Sequence, residues 1–584
     1  MTSDIMHIET DVLVVGSGVA GMMAVVGCMR SGVKPVIATK GTYASGASSM
    51  ARGGHSLALG HSDAEDNPEL FFEDIFAGSG DIGNPRLIDI VAHESIARSA
   101  ELDDWGLGLV KQDDGKYDQR FGGFPHRYSR MVHCVRLMGK PLMAALSGKT
   151  KSWIDPITHL HFVDLLMDGD KVIGAWGFLH QKGTPVVVHA KSTILSTGGA
   201  PQLHALNDSP PVVSGDGYAM AYRAGAELID MEFIDYQILT AAPPKMAGYP
   251  PFSTGLLGGG GYLINGEGER FMHKYEPEKQ ERTTRAVINR AMAIEIMEGR
   301  GTKDGNIHID IRHVFDELNE GPGKSIIETM KKNGVDMSKE YLEVNSGPHT
   351  YLGGIRIDEW GRTNVEGLYA GGEAAGGIHG ANRLGGLALI DSYVFGFRSG
   401  ITAALESKER EAPSADAGGW KDKLAELEAE AKSNKSGPTA DEWRLEVQTL
   451  VAGSIGQVRR EDILVDALAK LDELEEKGKD AQVDTGSARK QAESLRRNSE
   501  TQNLIETGRM LATAALNRRE SRGGHYRMDY PEQDDKNFKG NFVIWEENGA
   551  CKAELRPVPS RDDIAPPPPG EISLEYDPMT EVAA

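Results

Sequence analysis

Residues 9–15, Glu-Thr-Asp-Val-Leu-Val-Val, run directly into Gly16-x-Gly18-x-x-Gly21 and then into an uncharged stretch that reads as a helix. A short apolar run rich in valine predicts a strand buried on both faces, and a second one, from Val33 to Lys40, follows the helix. Together they predict a βαβ unit with the glycine turn at its centre. The glycines permit a tight turn and let backbone approach a pyrophosphate, whose charge the helix N-terminus favours. Strand two ends in Thr39-Lys40 rather than in a ribose-binding acid. That argues against NAD more than against FAD, because other elements can complete an FAD site.

The chain has 584 residues, long enough for two to four domains at roughly 150 residues each. Its 63 basic and 86 acidic residues leave a formal charge of −23, which disfavours a nonspecific grip on nucleic acid or anionic lipid. Its three cysteines, Cys28, Cys134 and Cys551, are too far apart in sequence for a CxxC site, so no metal centre or disulfide framework is expected from this chain alone. Val12 to Met29 is uncharged but broken by Gly16, Gly18, Gly21 and Gly27 and lacks a basic flank, so it reads as buried protein rather than a membrane span. A cytoplasmic protein without direct membrane insertion is expected.

Further along, residues from about 151 to 199 predict a strand meander, and 233–347 predict glycine-rich loops with one helix near 283–299. A charged, apolar-poor stretch reads as a linker with some surface helix, a helical-period segment as a bundle, and the proline-rich end as extended and solvated tail. The expected division is 1–235 and 351–406 for the two parts of a nucleotide-binding domain, 236–350 for a capping domain, 407–438 for the linker, 439–525 for the helical domain and 526–584 for the tail.

Ala51-Arg52-Gly53-Gly54, Ser196-Thr197-Gly198-Gly199, Ser214-Gly215-Asp216-Gly217, Gly261-Tyr262-Leu263-Ile264-Asn265, Gly371-Gly372-Glu373, His379-Gly380-Ala381-Asn382-Arg383-Leu384-Gly385 and Glu520-Ser521-Arg522-Gly523 occur in this order. As a set they resemble the flavoprotein subunits of succinate dehydrogenase and fumarate reductase and the related L-aspartate oxidases. The resemblance implies an α/β fold: a Rossmann-like FAD-binding domain with an inserted α+β capping domain, then a C-terminal helical domain. For FAD it implies contacts at Gly16, Ser17, Gly18, Ala20, Gly21, Thr39, Lys40, Gly46, Ala47, Ser48, Gly53, Gly54, Val163, Thr197, Gly198, Gly199, Asp216, Glu373, Arg383, Ala388 and Leu389. Within that set, Lys40 and Glu373 are expected at ribose and Asp216 with Thr197 to Gly199 around the ribityl and adenosine parts.

In relatives with covalent flavin, the resemblance places the attachment histidine where this chain has Ala47, so FAD is expected to be held non-covalently, with His55 an ordinary polar contact. It implies hydride transfer between flavin N5 and a C–C bond next to a carboxylate, with Arg285 as the catalytic proton donor and His349 with Arg383 as the carboxylate clamp. A planar guanidinium fork suits that carboxylate. At the other end, Gln237 stands where the family has histidine, Ser253-Thr254 where it has Thr-Glu, and Leu257-Gly258-Gly259 where it has Arg-Gly-Glu. An unsaturated acid other than plain fumarate, with a neutral or bulky far end, is therefore the expected substrate. The alternatives are an L-aspartate-oxidase-like amine oxidase and a non-catalytic flavoprotein scaffold subunit. With no cluster ligands or haem motif in the chain, an iron–sulfur or other electron-transfer subunit is the expected partner.

Overall fold

The computed structural model describes residues 4–123, 126–135, 137–321, 323–433, 435–572, 574 and 575. The strand Met6–Val15 lies at the middle of the largest sheet, parallel to Val36–Thr39 on one side and Thr184–Leu195 on the other. Leu160–Asp168, Lys171–Leu179 and Thr184–Leu195 continue it as an antiparallel meander, and Leu368–Ala370 pairs with the end of Thr184–Leu195. The expected βαβ unit and meander are both present.

The helix Val19–Arg30 is buried along almost its whole length because Leu387–Ser407 lies against it. Glycines set the distance between the two. A Cβ on Gly27 would come 2.4 Å from the Phe397 carbonyl oxygen, one on Gly396 2.3 Å from Ala20 O, and one on Gly400 2.2 Å from Ala24 O. The second helix thereby brings residues 379–386, which precede it, back over the glycine turn.

Residues 233–347 are more ordered than their sequence suggests. Ile234–Thr240, Leu342–Tyr351, Ile307–Asp310 and Tyr262–Ile264 form a four-stranded antiparallel sheet in that order, with the expected helix at Arg285–Met297 and shorter helices around it. Its core is separate from the main one and includes Leu256, Leu257, Met272, Ile288, Ile309 and Met330. The strands are short and their partners distant in sequence, so no local period marks them.

Two other expectations need correction. The segment read as linker contains the helix Trp420–Ala431, whose Trp420, Leu424 and Leu427 are buried against Leu166, Trp176 and Phe178 of the meander. The segment read as tail contains the hairpin Gly540–Glu547 and Ala550–Pro557, whose first strand pairs with Leu228–Ile229 and extends a five-stranded sheet. Beyond it the chain is extended, with the Pro566 carbonyl accepting from Arg362, while Pro568 is buried; residues 576–584 of the expected tail lie outside the described residues. Ala440–Ser454, Glu461–Gly478 and Ala488–Asn517 form the expected helical bundle. Among the described residues, no helix is long and apolar enough to cross a membrane.

The helix contact yields a test. Gly400→Val should force apart two packed backbones, costing about 3 kcal/mol. The measurement is denaturant unfolding with flavin retention followed in parallel. An unchanged midpoint would show that the contact can relax.

Candidate active site

The turn after the first strand is held by backbone: Gly16 N donates to Ala38 O at 2.8 Å and Ser196 N to Val15 O at 2.8 Å. A Cβ on Gly21 would lie 1.9 Å from Gly16 O, and one on Gly16 2.2 Å from Ser196 O, so both positions require glycine for close approach. The helix opens at Gly18 without a side-chain cap, and its Val19 amide donates to Ser48 Oγ at 3.2 Å. Gly46 and the turn Ala47–Met50 therefore face the helix mouth. Ser56 ties the next segment to the 385–389 region, its Oγ donating to Gly385 O at 3.0 Å and its amide to Gly386 O at 3.2 Å. Gly54 packs on Val132 O, whereas a Cβ on Gly53 would meet no atom within 4 Å.

These contacts bring Gly16 to Gly21, Gly46 to Gly54, Thr197 to Gly199, Glu373 and Ala388-Leu389 around one cleft. Ser17 Oγ, Ser196 Oγ and Thr197 Oγ1 are buried there without a hydrogen-bond partner in the chain. Glu373 accepts from Tyr351 N at 3.0 Å, and burial pushes its carboxyl up to about 7 against the lowering effect of that amide. Uncapped amides, orphan hydroxyls and a buried carboxyl fit a dinucleotide: a pyrophosphate at the helix end and a ribose hydroxyl at Glu373.

Three expected cofactor contacts have other uses. Lys40 Nζ donates at 2.6 Å to Ser214 Oγ, Asp216 Oδ2 and Glu500 Oε1. The second Asp216 oxygen accepts from Asn503 at 2.9 Å and Ser214 at 3.1 Å. Burial alone would raise the Asp216 carboxyl, but Lys40 and its other partners hold it far below the usual range. Lys40 and Asp216 therefore knit the sheet to the long C-terminal helix instead of presenting free groups to ribose. Val163 packs its side chain toward the Trp420 cluster and gives its carbonyl to Arg223. His55, as expected, is an internal contact: it meets Ser99 Oγ at 2.9 Å and Tyr393 edge-on, and burial pulls it down to about 4, so it is neutral.

Beyond the cleft, Arg285, Arg383, His349 and Gln237 converge. Arg285 is the first residue of its helix, whose start is held by Asn289: Nδ2 donates to Arg285 O and Tyr236 O, and Oδ1 accepts from Ser346. His349 is the extra residue of a β-bulge, since Thr350 faces Asp235 while Pro348 faces Tyr236. The bulge turns its ring to the side that Asp235 and Gln237 share. Arg383 comes from the 379–386 loop, clamped by Ala381 N to Ser79 O, Asn382 to Gly78 O and Gly524 N to Ala381 O. Behind that loop, Glu520 pairs with Arg518 and Arg522 in full burial, and His379 pairs with Asp391 at 2.6 Å.

The two arginines meet on a residue that the sequence reading missed. Arg285 Nη2 and Arg383 Nη2 both donate to Asp235 Oδ2, at 2.9 and 2.8 Å. Burial alone would raise the Asp235 carboxyl, but Arg285, Arg383 and His349 outweigh it and hold it below its usual value. A second missed acid, Asp208, accepts from His349 Nδ1 at 2.9 Å and from the Gln237 amide through the same oxygen. Ser253 and Thr254 begin the helix Ser253–Gly258, which packs on the turn Gln280–Arg282, but its Leu257 points into the capping core. Leu257 thus does not line the site, contrary to expectation.

A family model described as an FAD binding domain matches residues 11–389, and one described as the fumarate reductase flavoprotein C-terminus matches 444–569. The chain belongs to the fumarate reductase and succinate dehydrogenase flavoprotein family. It is 37% identical to one subunit of the fumarate reductase (CoM/CoB) of Methanothermobacter marburgensis, across 90% of this chain and 95% of that one. It is 27% identical to an L-aspartate oxidase of Synechocystis over 95% of this chain and 99% of the relative. Mycobacterium smegmatis Sdh1 in complex with UQ1 superposes with a TM-score of 0.86 at 27% identity, over 95% of each chain. The chain is accordingly an FAD-dependent oxidoreductase of the type that acts on CH–CH bonds, with the FAD-binding, capping and helical parts of this fold.

Membership in this flavoprotein family gives Glu373 a measurable signature. Because its folded value is raised to about 7, it contributes stability to the flavin-free protein below its ordinary value of 4.5, and that contribution is lost as pH rises through 7. In flavin-free Glu373→Gln, thermal melts should fall less between pH 5 and pH 8 than in the parent. Parallel profiles would show that the carboxyl is not strained by burial.

Proposed function

We propose that this flavoprotein transfers a hydride between flavin N5 and one carbon of a C–C bond beside a carboxylate, as an enoate reductase or the reverse dehydrogenase. The observation that carries this reading is the convergence of Arg285, from the capping sheet and helix, and Arg383, from the FAD-binding part, on a single carboxylate oxygen. The space between them has the donors and the spacing that a carboxylate requires.

Bound FAD supplies the two-electron acceptor or donor. Arg383 and His349 bind the substrate carboxylate and draw electron density from the conjugated double bond. Arg285 holds a proton at its guanidinium for the carbon next to the one that exchanges hydride. With an intrinsic pKa above about 12, it acts through placement and its hydrogen-bond partners rather than through ready ionisation. Arg52 reaches across to the capping domain, its guanidinium 4.2 Å from the Tyr249 ring and donating to Pro250 O.

The fumarate reductase name of the methanogen relative supports an unsaturated acid as substrate. Electrons pass to or from a separate redox subunit or carrier, because three scattered cysteines cannot ligate a cluster here. This reading keeps the protein cytoplasmic, with any membrane contact made by its partner.

Two outcomes test it. In an anaerobic assay with reduced viologen and a panel of α,β-unsaturated acids, at least one acid should be reduced, and Arg285→Lys should retain FAD while losing about a hundredfold or more in kcat. Reduction of none, or full activity in the variant, removes the mechanism. Acid precipitation should release all flavin to the supernatant, since Ala47 offers no nucleophile and His55 is turned to Ser99. Yellow colour left on the pellet would overturn that.

A further inference from the structure

The site's own charges restrict which acid can enter it. Two permanent cations, Arg285 and Arg383, already share the buried Asp235, and a second buried acid, Asp208, stands on His349, before any substrate arrives. Asp235 is fixed in place: it sits on the strand Ile234–Thr240, opposite Thr350, with its side chain only 10% exposed. Its Oδ2 uses the Nη2 group of both arginines. Arg383 gives one Nη1 hydrogen to Leu384 O and one Nη2 hydrogen to Asp235, while its Nε is buried and unpartnered within the chain. His349, with Nδ1 on Asp208, has its Nε2 left for a ligand.

We propose that Asp235 is a specificity-determining residue that makes this a site for monoanionic enoates, in which one carboxylate meets Arg383 Nε and His349 and the far end of the substrate is neutral. The inference rests on the function proposed above and narrows its substrate class. A single carboxylate finds the unpartnered Nε of Arg383 and the Nε2 side of the His349 imidazole. A dicarboxylate brings a second anion into the space where Asp235 already engages both Nη2 groups. That anion meets arginines whose charge Asp235 already partly offsets, and it repels Asp235 at close range. Asp208 acts in the same sense, because it adds a second fixed carboxylate beside His349 and ties up the Gln237 amide. The neutral far end inferred from sequence thus rests on two acids, not on Leu257.

The test is titration of the FAD-loaded enzyme with fumarate and with monomethyl fumarate, followed by perturbation of the flavin absorbance. The two ligands share length and double bond and differ by one negative charge. Wild-type enzyme should bind the monoester at least about tenfold more tightly. Asp235→Asn should reduce that preference at least about tenfold by admitting the dianion, and Asp235→Glu should keep it. A merely structural role for Asp235 would weaken both ligands together and leave their ratio unchanged. Tighter or equal binding of fumarate by the wild type, or an unchanged ratio in Asp235→Asn, overturns the inference and leaves the function above standing. If Asp235→Asn does not hold FAD, the wild-type comparison and the Asp235→Glu ratio decide it. Failure of both acids to bind the wild type overturns this inference and the function together.

Discussion

The close contact between the helices Val19–Arg30 and Leu387–Ser407 is the constraint on which the site depends. One follows the first strand and the other follows a loop nearly four hundred residues later, and glycines at 27, 396 and 400 let their backbones touch. The first helix orients the pyrophosphate turn; the loop before the second carries Arg383. Their separation therefore fixes how far the Arg383 loop lies from the glycine turn, and a side chain at the contact would alter both.

Buried charge does a second job, which is registration between parts of the chain. Lys40 with Asp216 and Glu500 joins the main sheet to the long C-terminal helix, and Arg518, Glu520 and Arg522, just beyond that helix, join its end to Glu232 before the capping strand Ile234–Thr240. Such pairs contribute little net stability compared with apolar packing, yet leaving one partner alone is costly. They favour one arrangement of domains over others of similar compactness. Here that arrangement sets the distance between Arg285 and Arg383, which belong to different parts of the fold. The single oxygen of Asp235 that they share is the point where the capping and FAD-binding parts meet in the site.

Much of this was legible from the chain alone. Gly16, Gly18 and Gly21, the parallel strands around them, the order of the family motifs, and Arg285, His349 and Arg383 as a group are all written in contiguous segments. Local spacing carries each of them. The same reading did not foresee that Lys40 and Asp216 pair with each other or that Leu257 enters the capping core, because motif position tells which residues recur but not which way they point. It placed an α+β capping domain but not the order of its strands, and it gave no sign of the 540–557 hairpin, because the pairing partners lie far away in sequence.

The sequence by itself determined the cofactor class and the family, since those depend on glycine turns and on side-chain types at fixed offsets, and it named Arg285, His349 and Arg383 as candidates. Only the tertiary structure decided the charge state of the site. Asp235 and Asp208 are ordinary acids in the chain; they become determinants because a β-bulge at His349, a helix start at Arg285 and a clamped loop at Arg383 deliver their partners to within 3 Å. Coulomb interaction at that range and in burial outweighs any local preference, and it exists only once distant segments have been brought together.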